Sequence, residues 1–457
     1  MATHNIEDGT GGLDASIRFA EEQARAENVG DGFANTLSVL TGFSTRYISI
    51  ADTIALGLVM GVQFCGGPRI PFRGGRIDAT EPNLPGVPEP DQTLDSHIAS
   101  FARQGFTQEE MIGLVACGHT FGGVQHDPFP NIVHEMNDTN NTQSVAHFDT
   151  TELHFDNNIA TEYISGTTQN PLAVGFNDTT NSDKRIFGSD GNVTMRSFAD
   201  SPELFSSRCS ELFARMLDTV PKGVQLSEVI TPLPVKPGRI EFQLDGDVLH
   251  FTGHVRFWNL AEKSNRIALL LWSDHLGATH NSTLLPSLSS SIDYPQGTAT
   301  SYRFGGEDAS GLSLDAAAGI VNMQFMLDGK LQTQQDKGAG AGVNFAVQDA
   351  VVFSTSSCFF GDNATARYDM AVRKTANVKS VYIETETRDD SSHIGVTETD
   401  FFSPDPIPNA AVNSAYTIWT LNVAGSFNPR YVGAEIDGVK YTVLKLLSLF
   451  ALPSCPS

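Results

Sequence analysis

A change of hydrophobic period at residues 231–238, TPLPVKPG, most constrains how this chain can fold. Before this segment apolar residues recur at helical spacing, and after it they alternate with polar residues as in β-strands. Its three prolines make a stiff connection, and 457 residues are too many for one compact core. We therefore predict a multidomain chain: an all-α domain over 1–228, a linker over 229–238 and an all-β, sandwich-like domain over 239–457.

Three segments of the first part carry clear helical patterns. In TQEEMIGLVACGH, Thr107 and Glu110 have the spacing of a capping box. The segment DTIALGLVMGVQF is apolar nearly all round and predicts a buried helix. The segment SPELFSSRCSELFARML begins with Ser201 as N-cap and Pro202 at the first helical position. We predict helices joined by long loops rich in glycine and proline.

The second part carries the two-residue period of strands. The segment GRIEFQLDGDVLHFTGHVRFW alternates, turns at Asp245-Gly246 and resumes its alternation, which predicts a β-hairpin. Further strand patterns are RIALLLW, SVYIETET and AYTIWTLNV. These runs predict the β-domain, for which the sequence suggests no specific role.

Charge and hydropathy exclude two classes of partner. The net charge is −24, and a protein that follows a nucleic-acid backbone needs clustered Lys and Arg instead. No apolar run approaches the roughly 20 residues of a membrane helix. We expect a monomer that binds neither nucleic acid nor membranes.

The five cysteines show neither a C-x-x-C pair nor metal-ligand spacing, which argues against a zinc site. We expect Cys117 to pair with Cys209 and Cys358 with Cys455, so that one thiol stays free or pairs with a cysteine upstream of Met1.

Six N-glycosylation sequons suggest a secreted glycoprotein. They begin at Asn137, Asn140, Asn177, Asn192, Asn281 and Asn363. The polar, acidic start MATHNIEDGTGG has no signal-peptide pattern, so we expect that the chain lacks its natural beginning.

The stretch LVACGHTFGGVQ places His119 where a predicted helix ends. A lone histidine there is by default structural, because the helix dipole favours a cation at the C-terminus. His119 is not the only recognisable motif, because further stretches occur in a fixed order along the chain. They are GTGGLDASIRF with ENVGDGF, YISIADTIALG with CGGPRIPFRGGRID, GVPEPDQTL, HFDTTELHFDNN, and IFGSDGNVTMRSFADSPELF.

Taken together, these stretches resemble the plant, fungal and bacterial haem peroxidase superfamily. The resemblance covers roughly residues 1–228 and is greatest to a secreted fungal, ligninase-type peroxidase that lacks its N-terminal distal segment. GPRIPFRGGRID is closer to the intracellular type. The resemblance implies an all-α haem-peroxidase domain with haem b as its cofactor.

The resemblance also implies roles for three residues. His119 matches the ligand of the haem iron, which needs a strong acceptor for its second ring nitrogen. Asp190 in GSDGN matches the buried carboxylate that accepts this hydrogen bond; the alternative is a turn aspartate before glycine. Asn28 matches the asparagine that orients the distal histidine.

Two calcium sites are implied as well. The proximal ligands match Thr120, Asp149, Thr151, a carbonyl near His154, and Asp156. Hard oxygen donors of this kind suit Ca²⁺, although a loop rich in N-caps would have the same composition. The distal ligands match Gly12, Asp14 and Ser16, and this site is incomplete because its upstream aspartate is absent.

The implied activity is the H₂O₂-driven one-electron oxidation of small organic or phenolic donors, in response to oxidative stress. The family's distal arginine and histidine should precede GTGG, where His4 is the only histidine and sits too close to the glycines. The alternative is a haem-binding or extracellular binding protein without peroxidase turnover.

Overall fold

A computed structural model describes residues 2–455 apart from 262, 264, 306–310, 334–341, 362–364, 375–376, 390–393, 401–412, 425–429 and 444–451. The sequon at Asn363 lies outside the described residues. The chain forms two compact units, of which one holds residues 1–231 and the other begins at Pro232. The predicted multidomain order, helical and then β-rich, is confirmed.

In the described part of the first unit, nine α-helices account for most of the regular structure. They are α1 (Ala20–Gln23), α2 (Gly32–Leu40), α3 (Ile50–Phe64), α4 (Leu94–Arg103), α5 (Gln108–His119), α6 (Asn158–Ser165), α7 (Ser182–Phe187), α8 (Val193–Asp200) and α9 (Pro202–Leu217). Short 3₁₀ turns lie at Ser16–Arg18, Ala26–Asn28, Thr41–Phe43 and Asp178–Thr180, and a small ribbon pairs β1 (Gly123–Val124) with β2 (Ala146–His147).

The helix starts predicted from sequence are confirmed. The Thr107 side chain accepts from the Glu110 backbone while the Glu110 carboxylate accepts from the Thr107 backbone, which completes a capping box. Ser201 caps α9, and Pro202 occupies its first turn. The caps fix where α5 and α9 begin, and therefore which side chains each helix presents to the core.

The core of the first unit forms around α5 and α9. Met111, Ile112 and Ala116 of α5 are fully buried, in one apolar cluster with Phe205 and Leu212 of α9. A Cys117–Cys209 disulfide joins the two helices, as predicted. The C-terminal end of α5, where His119 lies, is therefore anchored by packing and by a covalent link.

Replacing both Cys117 and Cys209 by alanine should lower the free energy of unfolding of the first unit by about 2–5 kcal/mol, because the link restricts the unfolded chain. Denaturant unfolding followed by circular dichroism at a helix-sensitive wavelength measures this change. The matched control is Cys65→Ala, since Cys65 is a free thiol. Equal stability of the double variant and the control would contradict the prediction.

In the described residues of the second unit, the regular secondary structure consists of β-strands. They are β3 (Val235–Asp245), β4 (Val248–Trp258), β5 (Ala268–Ser273), β6 (Thr279–Thr283), β7 (Leu285–Tyr294), β8 (Gly297–Arg303), β9 (Leu312–Asp315), β10 (Asn322–Leu327), β11 (Lys330–Leu331), β12 (Val351–Ser354), β13 (Cys358–Phe360), β14 (Thr365–Arg373), β15 (Val378–Arg388), β16 (Ile394–Asp400), β17 (Tyr416–Ala424), β18 (Arg430–Ile436) and β19 (Val439–Val443).

These strands form three sheets. The largest has the order β13-β14-β12-β3-β4-β8-β7, with β17 also paired to β14 and β9 also paired to β4. The two smaller sheets have the orders β11-β10-β5-β6 and β16-β15-β18-β19. All described pairings in these sheets are antiparallel except that of β12 with β3, which is parallel.

The large sheet is buried on both faces where β12 and β14 lie. Val352 and Ala371 belong to an apolar cluster with residues of β5 and β10. Their neighbours Val351, Phe353 and Met370 belong to a second cluster with residues of β15 and β18. Since successive side chains of a strand point to opposite faces, each of the two smaller sheets packs on a different face of the large one.

Strand β3 begins at Val235, inside the segment predicted as linker. Pro237 is tolerated there because it pairs only with Val255 of β4, whereas β12 joins β3 further along, at Gln243 and Leu244. The predicted hairpin is confirmed, with Asp245 opposite Val248.

The predicted Cys358–Cys455 disulfide is confirmed as well.

Across the described part of the chain, no helix is both long and apolar enough to cross a membrane.

Candidate functional site

His119 is the last residue of α5, and its imidazole is held from two directions. The ring stacks on Phe148 with centroids 4.1 Å apart and planes 9° from parallel. Its Nδ1 lies 2.8 Å from Oδ2 of Asp183, whose side chain is only 1% exposed. A hydrogen bond to a carboxylate oxygen is donated by Nδ1–H, so this contact favours the tautomer whose lone pair is on Nε2.

The prediction that Asp190 accepts this hydrogen bond is wrong. Asp190 Oδ1 accepts from the backbone of Val193 at 3.0 Å, and its Oδ2 accepts from the backbone and hydroxyl of Thr194 at 2.9 and 2.7 Å. Its side chain therefore satisfies free N–H groups at the start of α8, which agrees with the alternative of a turn aspartate before glycine.

Asp183 is the residue that sequence reasoning missed. It lies in the first turn of α7, in NSDKRIF, where an acidic residue followed by Lys and Arg is typical of a solvated helix start. A second Ser-Asp pair, Ser189-Asp190, follows this stretch after Gly188, and only the spatial arrangement decides between the two pairs. Burial of Asp183 beside His119 identifies it as the carboxylate partner.

Two clefts of the first unit are lined by Val124, five residues after His119 along the chain, although neither His119 nor Asp183 is among their lining residues. One, of about 290 Å³, is lined by Val124, Phe129, Ile132 and Leu172, with Glu27, Glu89 and Asp91 among its polar residues. The other, of about 630 Å³, shares Val124 and Phe129 with the first. Apolar clefts with a few polar groups, in the range of about 300–1,000 Å³, are typical of cofactor and small-molecule sites.

Asn28 is buried and donates from Nδ2 to the Glu22 carbonyl at 2.9 Å, which fixes its amide. It lines a third cleft, of about 300 Å³, beside Asp14 and Ser16. His4 is buried, with Nδ1 3.3 Å from the Gly11 carbonyl oxygen. The role of Asn28 in orienting a distal histidine stays a prediction.

The predicted distal calcium ligands are already satisfied by an amide. Asn83 Nδ2 lies 2.9 Å from Asp14 Oδ2, 3.2 Å from Asp14 Oδ1 and 2.9 Å from Ser16 Oγ. Gly12 lines the cleft beside them. An amide nitrogen donates hydrogen bonds and offers no lone pair to a cation. This arrangement does not fit a bound ion, and Asn83 is a residue that sequence reasoning missed.

The predicted proximal ligands do come together. Thr151 Oγ1 lies 3.3 Å from Asp149 Oδ1 and 3.1 Å from Asp156 Oδ1. Thr120 Oγ1 donates to the Asp156 carbonyl at 2.8 Å, and the His154 backbone N–H donates to the Thr151 carbonyl at 2.8 Å. Since Thr120 directly follows His119, this cluster is connected to the end of α5.

The negative charge of the Asp149 carboxylate is unfavourable within this cluster. Its side chain is buried, and its Oδ2 has no hydrogen-bond partner within the described residues. Burial raises the pKa of the Asp149 carboxyl from 3.8 to about 6, and the nearby carboxylates of Asp156 and Glu162 add to the rise. A buried carboxylate oxygen without a partner, beside like charges, is a donor set that a hard cation would satisfy.

No group of three or more His, Cys, Asp or Glu side chains placed to hold a metal is found in the described part of the chain. The proximal cluster supplies two predicted carboxylates, and its other donors are hydroxyl and carbonyl oxygens. Glu162, whose Oε2 is also buried without a partner, was not predicted from sequence.

Residues 4–201 match the sequence model of the peroxidase family. With the curated relatives described next, this match identifies residues 4–201, within the helical unit, as a peroxidase domain of the haem peroxidase superfamily. The resemblance stated from the sequence is thereby confirmed at the level of the superfamily.

Three relatives illustrate the range of similarity. A WSC domain-containing protein of Arthroderma benhamiae is 39% identical over 285 residues, which is 61% of this chain and 39% of the relative. A mitochondrial cytochrome c peroxidase of Cryptococcus neoformans is 37% identical over 116 residues, 24% of this chain and 31% of the relative. The peroxisomal L-ascorbate peroxidase 5 of Arabidopsis thaliana is 33% identical over 120 residues, 26% of this chain and 43% of the relative.

The chain therefore spans less than half the length of each of these relatives. The similarity to the Arthroderma protein covers 61% of this chain and is thus longer than the segment that the peroxidase model matches.

Proposed function

We propose that the first unit binds haem b through His119 Nε2 and acts as a peroxidase, reducing H₂O₂ and oxidising small organic or phenolic donors one electron at a time. The observation that supports this most is the 2.8 Å hydrogen bond from His119 Nδ1 to the buried Asp183. That bond fixes the tautomer and makes the imidazole a stronger electron donor. The haem iron, when bound, supplies the redox chemistry with peroxide.

The protein's own residues prepare the proximal side. Asp183 holds the Nδ1 proton, Phe148 fixes the ring plane, and the Cys117–Cys209 link fixes the helix that carries the ring. Asn28, which the resemblance assigns to the distal side, is held by the Glu22 carbonyl. These contacts support a rigid site, which lowers the cost of positioning ligands.

A calcium ion at the proximal cluster is part of this proposal. Asp149, Thr151, Asp156 and Thr120 would supply oxygens, and the unpartnered Asp149 Oδ2 supports a cation there. We also propose that the protein works outside the cell, as the sequons suggest, in a response to oxidative stress.

Haem titration of the purified full chain tests the proposal. A Soret band that saturates at one haem per chain is expected, and His119→Gln should abolish it because the amide is a far weaker iron ligand than imidazole. The control is His134→Gln, which removes an exposed imidazole of the same unit. Adding H₂O₂ should then change the spectrum of the haem-loaded chain.

The outcomes separate the two functions considered from the sequence. Stoichiometric binding that depends on His119, with no spectral response to peroxide, would favour a haem-binding protein without turnover. Binding that is equal in the His119→Gln variant and in the control would contradict the site itself.

A further inference from the structure

Asn170 lies beside the His119–Asp183 pair and has no role assigned by the sequence analysis. Its side chain is fully buried, and its Nδ2 donates to Asp183 Oδ2 at 2.7 Å. This is the same oxygen that accepts from His119 Nδ1. Among the described residues, the hydrogen-bond contact found for the other oxygen, Oδ1, is a long one from Ser182 Oγ at 3.5 Å.

The Asn170 amide is fixed in place by its surroundings. Its Oδ1 accepts from the Leu172 backbone at 2.8 Å, and the Leu172 carbonyl accepts from the Lys184 backbone at 3.2 Å. The loop that carries Asn170 is thereby bound to α7, the helix that carries Asp183. These contacts therefore fix the orientation in which Asn170 donates to Asp183.

We propose that Asn170 is a positioning residue that weakens the His119–Asp183 hydrogen bond and so limits how strongly His119 donates electrons to the haem iron. The inference rests on the proposed haem ligation by His119. A carboxylate oxygen that accepts two hydrogen bonds shares its electron density between them, so each donor is bound less strongly than it would be alone. Without the Asn170 amide, Asp183 Oδ2 would accept from His119 Nδ1 without this competing donor, and that hydrogen bond would be stronger.

The variant Asn170→Leu tests this, because leucine is similar in size and donates no hydrogen bond. In the haem-loaded full chain, the ferric/ferrous midpoint potential should shift to more negative values, since a more electron-rich imidazole stabilises the ferric iron. The iron–histidine stretching band in the resonance Raman spectrum of the ferrous form should shift to higher frequency.

A readout on the haem-free chain is independent of iron chemistry. With ¹⁵N-labelled histidine, the Nδ1 proton of His119 should move downfield in Asn170→Leu and exchange more slowly with water, because its hydrogen bond is stronger. If haem fails to bind, the proposed function fails, whereas this proton still reports on the hydrogen bond.

Asn181→Leu is the matched control. Asn181 is a buried asparagine directly before α7, and its Nδ2 donates to the Gly175 carbonyl at 3.2 Å and lies 3.5 Å from Asp178 Oδ1, without reaching Asp183. The shifts should appear in Asn170→Leu and be absent in Asn181→Leu. An unchanged Nδ1 proton and potential in Asn170→Leu, or equal shifts in both variants, would overturn the proposal.

Discussion

Replacing Asp183 by asparagine should weaken haem binding by the first unit about 10- to 100-fold, the usual cost of losing a group that supports a metal ligand. The substitution removes the negative charge from the hydrogen bond to His119 Nδ1 and leaves a neutral, weaker acceptor in a buried position. The imidazole then donates less electron density, so the ferric/ferrous midpoint potential should rise. Spectroscopic haem titration and potentiometry measure the two changes.

Asp190→Asn is the matched control for this experiment. Asp190 caps α8 and does not reach His119, so its substitution should change the stability of that helix by about 1 kcal/mol or less and leave haem affinity unchanged. A loss of affinity as large in Asp190→Asn as in Asp183→Asn would restore the role that the sequence suggested for Asp190.

Calcium should stabilise the first unit strongly through the proximal cluster. An ion that binds only the folded chain and is present at 100 times its dissociation constant adds about 2.7 kcal/mol to the free energy of unfolding. At this site it would compensate the charge of the buried Asp149 and of the partly exposed Asp156. Chelation should lower the thermal midpoint of the helical unit and leave that of the β-rich unit unchanged. Calorimetric titration of the chelator-treated chain should give one ion per chain, since Asn83 fills the distal loop.

The ion-free chain should also show a pH dependence of defined sign. Burial raises the pKa of Asp149 to about 6 in the folded chain, above its ordinary value of 3.8. The folded state therefore holds this proton more tightly, so stability is highest below pH 4 for this group and is lost as pH rises through about 6.

Asp149→Asn, which is neutral at every pH, should remove that loss in chelator and should also abolish the response to calcium. Two results would contradict the proximal calcium site: a thermal midpoint of the helical unit that changes with neither calcium nor chelator, or an Asp149→Asn variant that is still stabilised by calcium.

Much of the fold follows from local patterns in the sequence. The capping box at Thr107, the N-cap at Ser201 and the Asp245-Gly246 turn each depend on a few neighbouring residues, and all three are found where predicted. His119 was found because its stretch is continuous and resembles a known family. The two disulfide pairs also agree with the prediction.

The residues that form hydrogen bonds with the predicted site residues could not be predicted from local sequence patterns. Asp183 and Asp190 both follow serine, and they lie in and just before the first turn of a helix, respectively, so only tertiary packing brings the first one to His119. Asn170 precedes a proline, as many turn residues do, and its contact with Asp183 depends on how the loop folds over α7. Asn83 lies 69 residues from Asp14, too far apart for any local pattern.

The double burial of β12 and β14 has a consequence for how the β-rich unit can be divided. Because Val352 and Val351 are neighbours that serve opposite cores, removing these strands would expose apolar surface on both of the smaller sheets at once. Neither half can then be expected to survive alone, and the unit should melt in a single cooperative step. An evolutionary insertion or a protease cut is therefore better tolerated between the two units than within β12 or β14.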